Sequence, residues 1–437
     1  MWYLVQPLWR DEAYSVLFSA KPLSDIIAQS SIEPPVYYLL LKLWTALFGT
    51  GEIAVRLLST LGLLLATYVV ILWAEREFKS HWLSWVTPLL FFFNPMILYY
   101  GFEVRAYGWY LLFSVLAMSA YLKKDWRLFI LSSIFGFYTH LYMVFVIGVS
   151  ALHYALTHIH TDTKPTIKKI IWDPMIRSLI LIGVASIPWV IRIFQMMPKF
   201  AQSWYFPVDW HLVKSVLGNM FLGYEGTPWY FWKYTAYLSL ALLGVFFLAW
   251  KNKTNRHQTG YFLLMVFVPL LTILSISIGI KPLFVNRYLI PVTVAEILLI
   301  PYALLALKPQ SLRVPSVLFL GFGMLIFSLW FPGQHKKADY RTPMKEISLL
   351  MKTDDLIYVD DPIIYPEALY YAQDKKRLYL YAPSGIQFPW YIGDAIFTRQ
   401  KATAAIPLYP QKAYVLSKDG TYSILYSVDA NTVPSSP

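Results

Sequence analysis

Long apolar runs separated by short polar connections fill most of the chain, and this pattern stops near Pro332. Runs of roughly 17–25 apolar residues match the thickness of a bilayer's hydrocarbon layer. Residues 1–332 are therefore predicted to form a polytopic α-helical membrane domain. The predicted spans are Ile53–Trp73, Trp82–Leu98, Ala106–Leu122, Leu128–Phe137, Leu141–Leu156, Ile176–Ile193, Tyr234–Trp250, Tyr261–Ile280, Tyr288–Leu307 and Val314–Phe331. The shortness of the Leu128 run predicts a tilted or broken pair around Tyr138–His140.

A different pattern marks the tail. A helix-like stretch at Tyr340–Met351 is followed by short apolar runs at Leu356–Val359 and Leu378–Tyr381. Alternating helix and strand patterns are typical of α/β folding. We therefore predict a small C-terminal α/β domain over residues 333–437, outside the membrane.

Composition supports the membrane assignment. The chain is 57% hydrophobic and 14% charged, whereas soluble domains are roughly 45–50% apolar and about 25% charged. The net charge of +12 comes from Lys and Arg residues in the gaps between apolar runs, which argues against a nucleic-acid partner. The absence of cysteine excludes disulfides, thiolate metal sites and a cysteine nucleophile.

Basic residues cluster in alternate connections, which predicts that those connections face the cytoplasm. The first fifty residues, the turn at Tyr99–Arg105, the loop 194–233, the turn at Lys281–Arg287 and the tail then face outward, towards the periplasm or the cell exterior. We predict a multi-pass protein of the cell (plasma) membrane. Because only ten residues precede Asp11, the pattern also predicts a missing first transmembrane helix, with Trp2–Trp9 as its last turns.

Ionisable residues collect on the predicted outer side, where burying charge near a membrane is costly and therefore suggests function. Arg105, Arg287 and Lys281 form a set of cations suited to a phosphate. The alternative is that the arginines reach the interface as membrane anchors or pair with Glu103. No nucleotide-binding fingerprint is found, which favours a lipid-borne donor.

Asp11 and Glu12 stand near the start of an amphipathic stretch, Ala13–Ala28. A carboxylate there could act as a general base, or it could cap the first turn of a helix. From spacing alone, both interpretations stay open.

For other residues on the predicted outer side, structural roles are favoured or stay open. Glu33 with the two following prolines favours a turn, and Asn94-Pro95 a helix break. His140 could be a base, although a polar residue at a helix end more commonly has a structural role, with its hydrogen bonds satisfied. Some loop aromatics could cover a sugar or a lipid chain: Trp204, Tyr205, Trp229, Tyr230 and Trp232.

Several short motifs, in order, resemble those of one family. They are Asp11-Glu12-Ala13-Tyr14, Glu33-Pro34-Pro35 with Tyr37-Tyr38-Leu39-Leu40, Phe48-Gly49, Arg56-Leu57-Leu58-Ser59, Tyr99-Tyr100, Glu103-Val104-Arg105-Ala106-Tyr107, Tyr138-Thr139-His140 and Arg287-Tyr288-Leu289. The set resembles the GT-C membrane glycosyltransferases, in particular the protein mannosyltransferase-like, aminoarabinose transferase-like and lipopolysaccharide-core galacturonosyltransferase-like group. The resemblance covers essentially the whole chain and implies a GT-C fold of about ten to twelve transmembrane helices.

The resemblance also implies an activity: transfer of one hexose or pentose, with inversion, from a polyprenyl-phosphate donor to a lipid, glycan or protein acceptor. Asp11 matches the family's catalytic acid, with Glu12 beside it. Arg105 and Arg287 resemble the family's residues near the donor phosphate, and Lys281 is expected to assist them. Supporting residues are Glu33, Glu103, Tyr107 and His140.

Glu33 departs from the family, where this position is commonly His or Lys. Two alternatives to the monophosphate donor stay open. One is a diphosphate-linked oligosaccharide transferase, which more often uses Mg²⁺ or Mn²⁺; no cofactor or metal is otherwise predicted. The other is a transporter or flippase of lipid-linked sugars, with the outer charges as a gate.

Overall fold

The structure is a computed structural model. It describes residues 2–29, 33–79, 82–158, 172–198, 207–222, 231–334, 336–385 and 388–428. Contacts group the chain into two compact units, which we describe separately: a mixed unit of residues 1–31, 38–55 and 335–437, and a helical unit of residues 32–37 and 56–334. The break at Gln334/His335 lies close to the predicted domain boundary, but the tail is grouped with two N-terminal segments.

The N-terminal part of the mixed unit is helical. Its helices are α1 (Trp2–Val5), α2 (Arg10–Ser19), α3 (Leu23–Gln29) and α4 (Val36–Phe48), whose first two residues belong to the helical unit. The predicted amphipathic stretch Ala13–Ala28 is thus two helices, because the chain breaks at residues 20–22, where Pro22 cannot continue the ladder of hydrogen bonds.

The helical unit contains the apolar helices. They are α5 (Glu52–Phe78), α6 (Leu83–Phe92), α7 (Pro95–Phe102), α8 (Tyr107–Lys123), α9 (Trp126–Phe137), α10 (Met143–His158), α11 (Pro174–Met196), α12 (Trp210–Leu222), α13 (Trp232–Lys251), α14 (Arg256–Gly279), α15 (Ile290–Ala306) and α16 (Arg313–Gln334). A 3-10 turn, Asn286–Leu289, precedes α15. The first four residues of α5 belong to the mixed unit.

Among the described residues, six helical segments are long and apolar enough to cross a membrane, or seven if the bent pair α6–α7 is one span. Three apolar helices, Val36–Phe48, Trp126–Phe137 and Met143–His158, are shorter. The protein is therefore a multi-pass membrane protein, and the expected ten to twelve spans stay a prediction.

The predicted span Trp82–Leu98 is broken in the structure. Asn94 accepts hydrogen bonds from the backbone N–H groups of Met96 and Ile97, both at 3.1 Å, and Pro95 begins α7. The two helices meet at 54°. Asn94 and Pro95 therefore act as the predicted helix break. The chain also breaks between Phe137 and Met143, where the sequence predicted a broken pair.

The tail forms a small domain around a five-stranded sheet, as predicted. Its helices are α17 (Arg341–Leu350), α18 (Tyr365–Tyr371) and α19 (Trp390–Gly393), and its strands are β1 (Leu356–Val359), β2 (Leu378–Tyr381), β3 (Ala402–Thr403), β4 (Ala413–Leu416) and β5 (Tyr422–Leu425). The order is β3-β2-β1-β4-β5, and all neighbours are parallel except β4 and β5. Both predicted strands have the expected bounds.

One face of the sheet carries the main core of this domain. Ile357, Val359, Leu378 and Leu380 pack there with apolar residues of α17 and α18. Gly420 makes the turn between β4 and β5 at φ +83°, a left-handed conformation that glycine adopts without strain. The sheet thus fixes α18, which packs against α2 in the same unit.

Candidate active site

The helical unit gathers most of the predicted site around the start of α8. Arg105 is 7% exposed and forms an ion pair with Glu33. The Tyr107 hydroxyl interacts electrostatically with Arg287, Arg105 and Glu33 together. Glu103, which follows the last residue of α7, is also buried. Glu103 and Arg287 both interact electrostatically with the Tyr100 hydroxyl. We call Glu33, Glu103, Arg105, Tyr107, His140 and Arg287 the arginine cluster.

Backbone packing fixes the position of Arg105. Ser59 on α5 donates a hydrogen bond from its hydroxyl to the Arg105 carbonyl at 3.1 Å. A Cβ atom on Gly108 would lie 2.2 Å from the Ser59 carbonyl oxygen, and one on Gly62 would lie 2.6 Å from the Gly108 carbonyl carbon. Only glycines permit this approach of α5 and α8, which holds Arg105, two residues before α8, in place.

The Glu33 turn is fixed in the same unit. Pro34 and Pro35 are buried, and the Val36 N–H donates to the Tyr138 carbonyl at 3.0 Å. The Tyr37 hydroxyl is hydrogen-bonded to Ser59 at 3.0 Å. The predicted structural turn is thus present, and it directs a carboxylate to Arg105. The ion pair of Arg105 in the structure is with Glu33, and the alternative of a pair with Glu103 stays a prediction.

His140 lies in the connection between α9 and α10, within a group of aromatic rings. Its ring stacks on Tyr110 at 4.5 Å between centroids and lies 4.9 Å from Tyr288. Burial, with the positive charges of Arg105 and Arg287, lowers the pKa of His140 to about 3. His140 is therefore neutral at physiological pH and supplies no positive charge for a phosphate.

Arg287 belongs to the 3-10 turn before α15, where it is 7% exposed and its guanidinium lies 5.6 Å from the Tyr288 ring centroid. The Tyr110 hydroxyl donates to the Tyr288 carbonyl at 3.2 Å, which ties this turn to α8. Lys281 lies earlier in the same connection, and its side chain makes no hydrogen bond or ion pair with any residue that the structure describes. Both arginines thus meet at one place, without Lys281.

The mixed unit holds the predicted acids in the first turn of α2. Glu12 is fully buried, accepts from the Trp9 N–H at 3.3 Å and pairs with Lys337 at 2.9 Å. These contacts realise the capping alternative for Glu12. Asp11 is more open, with a side chain 15% exposed and an Arg10 Nε at 3.0 Å. Of the two acids, Asp11 is the more exposed.

The tail surrounds this first turn with groups that sequence reasoning missed. The Tyr371 hydroxyl accepts from the Leu8 N–H at 2.7 Å. Glu367 on α18 is 5% exposed, and burial raises its pKa to about 8 even though Arg10 lowers it. A single sequence gives no signal for these pairings, because Lys337 and Glu367 are more than three hundred residues from α2.

Other predicted or missed residues lie apart from these groups. Glu296 is fully buried in α15, and neither carboxylate oxygen has a partner among the described residues. The sequence signal that could have identified Glu296 is an acidic residue within a long apolar run. The described residues contain no cluster of three or more His, Asp or Glu side chains that could hold a metal. Trp204, Tyr205, Trp229 and Tyr230 lie outside the described residues.

The architecture is that of the GT-C membrane proteins, as the motifs predicted. The crystal structure of ArnT from Cupriavidus metallidurans in the apo state matches with a TM-score of 0.65 and 14% identity, over 95% of this chain and 90% of that chain. ArnT from the same organism bound to undecaprenyl phosphate also matches with a TM-score of 0.65 and 14% identity, over 99% of this chain and 97% of that chain.

These likenesses confirm the resemblance to the aminoarabinose transferase-like group at the level of the fold. No family model matches the sequence, and no curated protein does.

Proposed function

We propose that the protein is an integral membrane glycosyltransferase that moves a single sugar from a polyprenyl-phosphate donor to a lipid, glycan or protein acceptor on the outer face of the membrane. The observation that carries the proposal is the meeting of Arg105 and Arg287 beside the Tyr107 hydroxyl, in a GT-C fold. The ArnT structure with bound undecaprenyl phosphate supports a lipid-linked donor.

The donor phosphate would bind at the arginine cluster. Guanidinium groups bind phosphate oxygens with two parallel hydrogen bonds and stay charged at any physiological pH. As the bond between the anomeric carbon and the phosphate oxygen breaks, negative charge grows on that oxygen. Fixed cations stabilise this charge and so lower the barrier. Lys281, which lies in the same connection as Arg287, belongs to the same proposal as a third cation for the phosphate.

The acceptor would be activated at α2. The oxygen of the acceptor hydroxyl attacks the anomeric carbon while Asp11 takes the hydroxyl proton. Polyprenyl phosphate leaves from the opposite side of that carbon. The new glycosidic bond therefore has inverted configuration. Glu12 shapes this turn through its contacts with Trp9 and Lys337. A divalent metal is tested directly, by adding a chelator and then restoring Mg²⁺ or Mn²⁺.

The test is sugar transfer by the full chain in membranes with radiolabelled polyprenyl-phosphate sugars. Arg105→Ala should lower turnover about 10²- to 10³-fold, because one fixed donor to the developing charge is lost. Asp11→Asn should abolish transfer while leaving donor binding intact. Arg127→Ala removes an exposed arginine of α9 and should leave turnover unchanged.

Full activity of Arg105→Ala would refute the assignment of Arg105 to the binding of the donor phosphate. Transfer only from diphosphate-linked donors would move the protein to the oligosaccharide transferases. Movement of intact lipid-linked sugar across vesicles, without transfer, would identify a flippase.

A further inference from the structure

A cavity lies between α12 and α13 of the helical unit, and its rim carries charged and aromatic side chains. The cavity has a volume of about 490 Å³ and is lined by His211, Lys214, Trp232, Lys233, Ala236 and Tyr237. None of these residues belongs to the arginine cluster. The combination of two lysines, a histidine and two aromatic rings is a binding surface rather than a packing defect, because charged side chains do not fill a core.

Close backbone contact holds the walls of the cavity together. A Cβ atom on Gly218 would lie 2.0 Å from the Thr235 carbonyl oxygen, and the Gly218 N–H donates to the Ser239 hydroxyl at 2.7 Å. The His211 and Trp232 rings approach to 6.0 Å between centroids. The two helices are thus locked side by side, and the cavity is preformed.

The two lysines that line the cavity are suited to an anion. Neither Lys214 nor Lys233 forms an ion pair within the part of the chain that the structure describes, and both are exposed. Two lysines on facing helices repel each other, and a phosphate between them would remove this repulsion. Trp232 and Tyr237 offer flat surfaces on which a polyol or sugar can stack.

The position of the cavity points to a lipid. It lies at the N-terminal end of α13, a helix long and apolar enough to cross the membrane. Beyond the cavity, α13 exposes apolar side chains at helical spacing, with Leu240 65%, Leu243 44% and Phe247 57% exposed. A headgroup in the cavity would therefore place its acyl chains along this stripe.

The cavity and the arginine cluster lie on the same side of the membrane. α13 and α14 are joined by a short connection, so the start of α13 and the end of α14 face the same side if both helices cross. The connection from α14 to α15 contains Arg287 on that side. A lipid in the cavity is therefore drawn from the leaflet that the proposed reaction faces.

We propose that this cavity binds the phosphate-bearing headgroup of an anionic membrane lipid. The inference stands apart from the proposed glycosyl transfer, since lipid binding is measured without any sugar donor. The bound lipid would fix the α12–α13 edge of the helical unit at the interface.

The experiment is native mass spectrometry of the full chain in detergent, titrated with phosphatidylglycerol and separately with phosphatidylcholine. Lys214→Gln/Lys233→Gln should bind phosphatidylglycerol about 10- to 30-fold more weakly than the wild type, since each interfacial lysine contributes about one kcal/mol towards an anionic lipid. The matched control is Lys251→Gln/Lys253→Gln, which removes two charges at the other end of α13.

Equal binding of phosphatidylglycerol by the wild type and the cavity variant would overturn the proposal, as would equal loss in the control. Equal affinity of the wild type for phosphatidylcholine would also overturn it, because the cavity would then not distinguish an anionic headgroup from a zwitterionic one. Inorganic phosphate should displace the lipid only weakly. Complete displacement at millimolar phosphate would replace the lipid with a soluble phosphate ester and overturn the choice of occupant.

Discussion

The ion pair between Arg105 and Glu33 decides how strongly the arginine cluster attracts an anion. Arg105 is nearly buried, whereas the Glu33 side chain is 34% exposed. The carboxylate orients the guanidinium but also, together with Glu103 of the same cluster, opposes the positive charge that the two arginines provide. A phosphate that binds here must compete with Glu33 or displace it.

Replacing Glu33 should therefore strengthen phosphate binding. Glu33→Gln removes the negative charge and keeps the shape of the turn, so the dissociation constant for polyprenyl phosphate should fall about fivefold, equivalent to about 1 kcal/mol. Fluorescence or calorimetric titration in detergent measures it. Glu75→Gln, an exposed acid at the far end of α5, is the control. Weaker binding in Glu33→Gln would mean that the carboxylate chiefly orients Arg105.

Glu367 makes the stability of the tail domain depend on pH. The folded protein holds this proton up to about pH 8, whereas an unfolded glutamate releases it near pH 4.3. Between these values the folded state binds more protons, so the free energy of unfolding falls as pH rises through this window and levels off above it.

Glu367→Gln should remove this slope. The melting temperature of the variant, relative to the wild type, should rise steadily from pH 5 to pH 8, as measured by intrinsic fluorescence in detergent. Glu346→Gln, an exposed acid on α17, should show no such trend. Parallel curves for the wild type and Glu367→Gln would show that the carboxyl is ionised in the folded protein.

At the scale of elements, the contact of α5 with α8 places the arginine cluster. Gly62 on α5 and Gly108 on α8 bring the two backbones together, and Gly108 lies three residues beyond Arg105. A larger side chain here cannot rotate away, because the atoms that it would meet belong to the backbone of the neighbouring helix. The position of Arg105 is therefore sensitive to changes that touch no substrate.

Gly108→Ala should separate α5 from α8, costing about 1–3 kcal/mol of stability and lowering turnover together with the melting temperature. Gly148→Ala is the control, because a Cβ atom on this helical glycine of α10 meets nothing within 4 Å. That substitution should be neutral or slightly stabilising, since alanine favours helix. Wild-type turnover in Gly108→Ala would show that the helices can shift without moving Arg105.

On the scale of the whole molecule, the mixed unit joins segments from opposite ends of the sequence. The first turn of α2 is held by Lys337, Tyr371 and Glu367 of the tail. The tail domain is therefore part of the scaffold that presents Asp11. We infer that its loss would disorder α2 rather than remove an accessory module.

The Glu12–Lys337 pair tests this scaffold. Lys337→Met removes the cation beside a buried carboxylate and should cost about 3–5 kcal/mol, whereas Glu12→Gln/Lys337→Met should cost less than the two single changes together. Thermal unfolding of the four proteins measures the coupling. Lys345→Met, an exposed lysine of α17, is the control. Additive losses would show that the ion pair does not hold α2.

Local sequence determined much of this protein. Apolar runs placed the membrane-embedded helices, because a bilayer requires long uncharged segments, and strand patterns placed Leu356–Val359 and Leu378–Tyr381. Asn94-Pro95 predicted a helix break, since capping and a missing N–H act within one turn. The ordered motifs named Arg105, Arg287 and their neighbours as a set, and the structure brings them together without Lys281.

Only tertiary structure decided how those residues are paired. Glu33 and Arg105 meet across 72 residues of chain, and Lys337 meets Glu12 across 325. The close approach at Gly108 likewise depends on a second helix. Such contacts follow from packing between distant segments, and neither periodicity nor spacing encodes which distant partner a charged side chain will meet. The sequence thus identified the arginine cluster, and the fold determined its charge balance and the tail residues that hold α2.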